Sequence, residues 1–196
     1  MPEGLAIARS ELILGGQKSG KSRRAEQLAS AWLAQSPQHR AVLIATAHAG
    51  DDEMRQRIAR HQQDRAARLP DMLTIEEPLA LAGAITLHAN TQTLVLVDCL
   101  TLWLTNWLSP GAEFKKNRPI APDLRAQAAM LLIATKQTAG PVVLVSNEIG
   151  LGVIPMGRQT REFVDALGRL NQDVAQVCER VTFMAAGLPL TLKGQP

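Results

Sequence analysis

The chain has no tyrosine and only three tryptophans and three phenylalanines among its 196 residues, so its core has to be built from aliphatic side chains. Cysteine is nearly absent too. Cys99 and Cys178 lie far apart in apolar surroundings and fit neither a disulfide framework nor a zinc spacing, which predicts buried free thiols in a reducing compartment. No run of 18 apolar residues occurs, which excludes a spanning helix of the usual kind. The segment Met1 to Ala6 lacks the basic and apolar stretches of a secretory leader, so the expected location is the cytoplasm. No block of like charge appears either. The formal charge of +3 is mild and its arginines are dispersed, so basicity by itself gives no reason to expect nucleic acid as a partner. A composition of 46% hydrophobic and 20% charged residues excludes disorder, and the length suits a single domain over 11–196 behind a disordered extension of residues 1–10.

What is present begins with Leu12-Ile13-Leu14-Gly15-Gly16-Gln17-Lys18-Ser19-Gly20-Lys21-Ser22, which fits G-x-x-x-x-G-K-[ST] between an apolar strand and a helical pattern starting at Arg23. Glycines in such a loop let successive backbone N–H groups point at phosphate oxygens, and the following helix adds its own unpaired amides. Gly15 to Ser22 are therefore candidate nucleotide contacts. Lys21 is expected to reach the β and γ phosphates, and Ser22 to offer its hydroxyl to Mg²⁺. A second signal is Thr93-Leu94-Val95-Leu96-Val97-Asp98, an apolar buried strand ending in a carboxylate, the form of a Walker B strand; Asp98 is its candidate metal-side acid.

Between and beyond these lie weaker elements. Ala41–Ala45 reads as a strand that brings Thr46, Ala47 and His48 to the edge where parallel α/β sheets bind ligands, although a solvated loop histidine is the simpler reading of His48. Asp51-Asp52-Glu53 opens a helix on which Met54, Ile58 and His61 share a face among several arginines; spacing alone makes His61 a core or boundary residue. Leu73–Ile75 is a weak strand ending in Glu76-Glu77-Pro78, where the carboxylates either start the next helix or let Glu76 reach a ribose or a metal-bound water. Trp103 and Trp107 sit four apart on one helix face, as core or subunit-contact residues. Ser109 to Pro122 reads as a loop, Val142–Val145 as a buried strand ending in Ser146-Asn147-Glu148, and Arg158–Glu179 as a long helix with Asn171 on its apolar face. The whole predicts an α/β fold: a mostly parallel, RecA-like P-loop NTPase sheet with helices on both faces and a carboxyl-terminal antiparallel hairpin around Gly187-Leu188-Pro189.

Taken together, an ordered set of stretches resembles the bifunctional adenosylcobinamide kinase and adenosylcobinamide-phosphate guanylyltransferase family of cobalamin biosynthesis. The set runs from Gly15–Ser22 through Asp51-Asp52-Glu53-Met54 with His61, Thr74-Ile75-Glu76-Glu77-Pro78 and Asp98-Cys99-Leu100-Thr101 with Asn106. It continues with Ser146-Asn147-Glu148-Ile149-Gly150, Gly168-Arg169 with Asn171-Gln172, and Gly187-Leu188-Pro189-Leu190 with Lys193, covering nearly the whole chain from Leu12. The resemblance implies two reactions: phosphorylation of adenosylcobinamide by ATP or GTP, then transfer of GMP from GTP to that phosphate through a guanylylated histidine. His61 matches the guanylylated position; Thr46, Ala47, His48, Gln62, Gln63, Asp64, Arg65, Glu76 and Asp98 become nucleotide-site candidates, with Glu76 near the guanosine. It also implies Mg²⁺ at Ser22 and Asp98 and a homotrimer. Two positions depart from the family pattern: Lys18 replaces an arginine, losing its planar fork, and Gln62 stands where a basic residue is common. The competing readings are a P-loop small-molecule kinase with a structural His61, and a RecA-like ATPase or nucleotide switch acting on nucleic acid or a partner. The chain offers no aromatic-plus-basic surface for the latter.

Overall fold

A computed structural model of the chain describes residues 5–47, 68–108 and 124–195. Its centre is a seven-stranded sheet of β1 (Ser10–Gly15), β2 (Arg40–Ala45), β3 (Leu73–Glu76), β4 (Thr93–Asp98), β5 (Val142–Val145), β6 (Arg180–Ala185) and β7 (Leu188–Lys193), in the order β3-β2-β4-β5-β1-β6-β7. All neighbours are parallel except β6 and β7, which form the expected antiparallel hairpin. The helices are α1 (Lys21–Gln35), α2 (Leu81–His88), α3 (Leu100–Leu108), α4 (Leu124–Gln137) and α5 (Arg158–Val177).

Unbroken apolar strands occur because both faces of the sheet are covered. Side chains alternate between faces along a strand. Thus Leu12, Leu14, Val95, Val97, Val142 and Leu144 enter one core with residues of α2 to α5, while Ile13, Leu94, Leu96, Val143 and Val145 enter a second core with Ala25, Leu28 and Ala29 of α1. Trp103 and Trp107 are buried in the first core as an edge-on pair with ring centroids 6.5 Å apart, and Trp103 Nε1 donates to Leu79 O at 2.9 Å. Their role is packing, as expected of core residues. Both cysteines are free and buried.

The amino-terminal reading needs amendment. Residues 1–10 were expected to form an extension, yet Ser10 already belongs to β1 and its hydroxyl accepts from Glu179 N at 3.0 Å. Leu5 and Ile7 pack on the α1-side core, Ala6 O accepts from Arg180 Nη1 at 2.7 Å, and Arg9 Nε donates to Glu179 Oε1 at 2.9 Å. The segment from Leu5 is a strap across the start of β6, held by partners about as distant in sequence as the chain allows.

Candidate nucleotide site

Parallel strands bring their carboxyl ends, and the polar residues that follow them, to one edge of the sheet. At that edge β1 turns into α1 through a loop requiring three positive φ angles: 152° at Gly15, 56° at Lys18 and 103° at Gly20. A Cβ on Gly15 would lie 2.5 Å from Met184 O and 2.6 Å from Ser19 Oγ, so only glycine fits. Neighbouring elements brace the loop. Gly15 O accepts from Glu148 N at 3.0 Å, and Ser19 O accepts from Gly187 N in the β6–β7 turn at 3.0 Å. Gln17 and Lys18 are exposed at the tip, whereas Ser19 is buried and its hydroxyl has no partner among the described residues.

Lys21 is only 8% exposed, and its Nζ donates to Gly16 O at 2.6 Å, so the ammonium lies back across the loop. Burial pulls its pKa below the ordinary lysine value, with Cys99 and Asp98 acting in the opposite direction. The next residue, Ser22, donates its hydroxyl to Asp98 Oδ2 at 2.9 Å. Two strong sequence signals 76 positions apart thus meet as one hydroxyl–carboxylate pair beside the loop.

Register aligns the other strand ends: Ala45 pairs with both Glu76 and Asp98. Thr46 is fully buried. Its Oγ1 donates to Cys99 O at 2.6 Å and accepts from Cys99 N at 2.8 Å, so its hydroxyl fixes the chain immediately after Asp98. Ala47 is half-buried beside it. The two adjacent glutamates divide their work. Glu77 Oε1 accepts from Leu79 N and Ala80 N at 2.9 and 2.7 Å and so starts the turn into α2, while Glu76 is exposed at the edge. The candidates His48, His61, Gln62, Gln63, Asp64 and Arg65 lie outside the described residues, as does the segment 109–122.

Two braces were not assigned from sequence. Asn106 Nδ2 donates to Thr46 O at 2.8 Å and Pro78 O at 3.1 Å, and Thr101 Oγ1 accepts from Asn147 N at 2.9 Å. The available signal was polar residues in the otherwise apolar α3, where burial demands partners. On the α5 side of the edge, a groove of about 1140 Å³ opens between the loop 148–155 and α5 and reaches Leu14 and Glu148 beside the phosphate loop.

A mostly parallel sheet with a glycine loop between β1 and α1, and a hydroxyl–carboxylate pair at its side, defines a P-loop nucleotide-binding fold. Solved structures agree at the level of fold: the flagellar accessory protein FlaH of Methanocaldococcus jannaschii (10% identity, TM-score 0.52, covering 98% of this chain and 82% of that one) and the protein of project PH0250 from Pyrococcus horikoshii (9% identity, TM-score 0.56, covering 98% and 90%). Sequence narrows the class. Residues 11–192 match the family described as cobinamide kinase / cobinamide phosphate guanyltransferase, and the chain belongs to that family. It is 48% identical over 187 residues to the bifunctional adenosylcobalamin biosynthesis protein CobP of Pseudomonas aeruginosa, covering 95% of this chain and 98% of that one. It is 33% identical to the bifunctional adenosylcobalamin biosynthesis protein CobU of Escherichia coli and 34% identical to that of Salmonella typhimurium, with 93% of this chain and 98% of the relative covered in each case.

Proposed function

We propose that this chain is an adenosylcobinamide kinase and adenosylcobinamide-phosphate guanylyltransferase, working as a single catalytic domain that takes in the strap from Leu5, in the cytoplasm and as a homotrimer. The observation that carries the reading is the Ser22–Asp98 pair, 2.9 Å apart beside a pre-formed phosphate loop, in a chain whose family match spans residues 11–192.

In the first reaction the terminal hydroxyl of the acceptor attacks the γ phosphorus of ATP or GTP, loses its proton, and the nucleoside diphosphate leaves. Backbone amides of Gly16 to Gly20 and the start of α1 hold the phosphates. The buried Lys21 ammonium gains more from an arriving phosphate than an exposed lysine would. Ser22 and Asp98 present hard oxygen donors, a hydroxyl and a carboxylate of the kind that suits Mg²⁺, and would hold the ion beside the loop, where it would neutralise phosphate charge.

In the second reaction a ring nitrogen of His61 attacks the α phosphorus of GTP, the bond to the bridging oxygen breaks, and pyrophosphate departs. An oxygen of the acceptor's phosphate then attacks the same phosphorus and the P–N bond breaks, returning the imidazole. Splitting the exchange in this way replaces one difficult step with two in-line displacements, and protonation of the phosphoramidate makes the imidazole a good leaving group. Glu76, exposed and uncommitted at the strand edge, is the proposed contact to the guanosine, and Ala47, His48, Gln62, Gln63, Asp64 and Arg65 are the further nucleotide contacts this reading calls for. Thr46 supports the site through Cys99.

The test is incubation with Mg²⁺ and GTP labelled at the α phosphate, followed by denaturation. Acid-labile, alkali-stable label on wild-type protein, absent from His61→Ala, is the expected result. Active GTP-binding protein that takes up no label would leave a kinase without guanylyl transfer.

A further inference from the structure

The groove beside α5 differs chemically from the phosphate loop. Its volume of about 1140 Å³ exceeds the ~300–1,000 Å³ usual for drug-sized ligands. One wall is the loop 148–155, whose Leu151, Val153 and Ile154 are 78%, 97% and 78% exposed. The opposite wall carries basic residues, but most are already engaged within the protein. Arg158 pairs with Glu162 at 2.8 Å, Arg161 donates to the carbonyls of Pro155 and Met156, and Lys193 Nζ donates to Ala175 O and Gln176 O. With those donors taken up by carbonyls and with Glu148, Glu162 and Asp165 lining the same groove, it is poorly matched to a second triphosphate.

Its buried end holds an unmet demand. Asn171 is 5% exposed and lines the groove; its Nδ2 donates to Asn147 O at 3.1 Å, while its Oδ1 has no partner among the described residues. A buried acceptor left empty costs free energy, so a ligand bringing a donor recovers that penalty. The orphan oxygen is anchored one residue from Glu148, whose amide holds Gly15 of the phosphate loop.

We infer that this groove seats the acceptor corrinoid, a large, mostly apolar macrocycle fringed with carboxamides, with Asn171 Oδ1 accepting from one of its N–H or O–H donors and the loop 148–155 covering its apolar face. The inference rests on the proposed function and adds to it the place of the second substrate. Arg169 lines the same groove with neither an ion pair nor a side-chain hydrogen bond among the described residues, which leaves its guanidinium for the phosphate that the acceptor carries after the first reaction. The seat lies on one side of the phosphate loop, so the acceptor's hydroxyl and then its phosphate approach the nucleotide from a fixed direction.

The experiment compares wild type with Asn171→Ala and Val153→Asp, the second on a fully exposed position where folding is not at stake. Binding of adenosylcobinamide and of its phosphate is measured by equilibrium dialysis, and acceptor-independent labelling by α-labelled GTP is measured in parallel. Each variant is expected to bind the corrinoid about tenfold more weakly, the loss of roughly one hydrogen bond or one apolar contact surface, with labelling within about twofold of wild type. For Asn171→Ala, a loss shared by both corrinoids puts the donor on the carboxamides, and a loss confined to the unphosphorylated one puts it on the hydroxyl. Unchanged corrinoid binding in both folded variants overturns the inference. So does a Val153→Asp protein that sheds subunits yet binds the corrinoid normally, which assigns the groove to a second copy of the chain. Wild-type protein that labels with GTP but binds no corrinoid overturns the proposed function, and the groove's assignment with it.

Discussion

The two halves of the ligand edge are built on opposite principles. Around the phosphate loop nearly every constraint is backbone: three positive φ angles, carbonyls held by Glu148 and Gly187 amides, a lysine laid across the turn. Around the α5 groove the loop is apolar and exposed, the basic side chains are mostly tied to Glu162 or to backbone carbonyls, and a buried amide oxygen waits without a donor. Triphosphates present the same geometry to every protein, so fixed amides suffice for them. A macrocycle is recognised by shape and a few placed polar atoms, which leaves no short motif behind.

Removing charge from the rigid half should have the largest catalytic effect and little structural one. Lys21→Ala is expected to lower kcat of the kinase step by about 10²–10³, the range for deleting a pre-organised electrostatic contact. Its thermal midpoint should hold or rise, because the lysine is a desolvated cation with a lowered pKa. Steady-state kinetics beside calorimetry tests both halves of that statement, and a midpoint falling together with activity would mean that Lys21 is structural.

Thr46→Val inverts the pattern. It strips both hydrogen bonds from the Cys99 peptide groups, which sit too deep for water to replace them. A loss of about 1–3 kcal/mol is expected. In a chain of this size that is a midpoint lower by about 2–4 °C per kcal/mol. Activity per folded molecule should fall far less than in Lys21→Ala. Chemical denaturation separates the outcomes, and unchanged stability with lost GTP binding would move Thr46 into direct nucleotide contact.

The smallest effect concerns alkaline pH. Burial pushes the thiols of Cys99 and Cys178, the first under the phosphate loop and the second past the end of α5, up to about 12 from an ordinary value of 9.0. With folded values above unfolded ones, this contribution is complete below pH 9 and is lost as pH rises toward 12. Lys21, lowered in the fold, offsets part of that trend in every variant alike. Cys178→Ala and Cys99→Ala should therefore each flatten the fall in stability above pH 9; denaturant midpoints from pH 7 to 10.5 that fall as steeply as those of the parent chain would show that the thiols do not carry it.

Legibility in the sequence followed the same division. The phosphate loop, the β4 carboxylate and the strand–helix alternation are local patterns, and the fold carries them where period and motif put them. The braces are not local. Thr46 and Cys99 are 53 residues apart and Arg9 and Glu179 are 170 apart, and no window of sequence shows that such residues meet. Residues 5–10 therefore read as a free extension although they strap β6. Glu76 and Glu77 look interchangeable in sequence, and only the chain's turn into α2 decides which one is consumed by backbone amides. Asn171 was visible as a polar residue on an apolar stripe, but its half-satisfied state emerges only with Asn147 in place.

The contact between Gly187 and the phosphate loop has one more implication. The hairpin turn donates to Ser19 O, and its Cα stands 3.2 Å from where a Cβ on Gly20 would be, so the terminal ribbon leans on the loop like a buttress. β7 is the outermost strand, with Leu188, Leu190 and Leu192 largely in solvent. The rim of the sheet thus meets the phosphate loop through a single hydrogen-bonded turn.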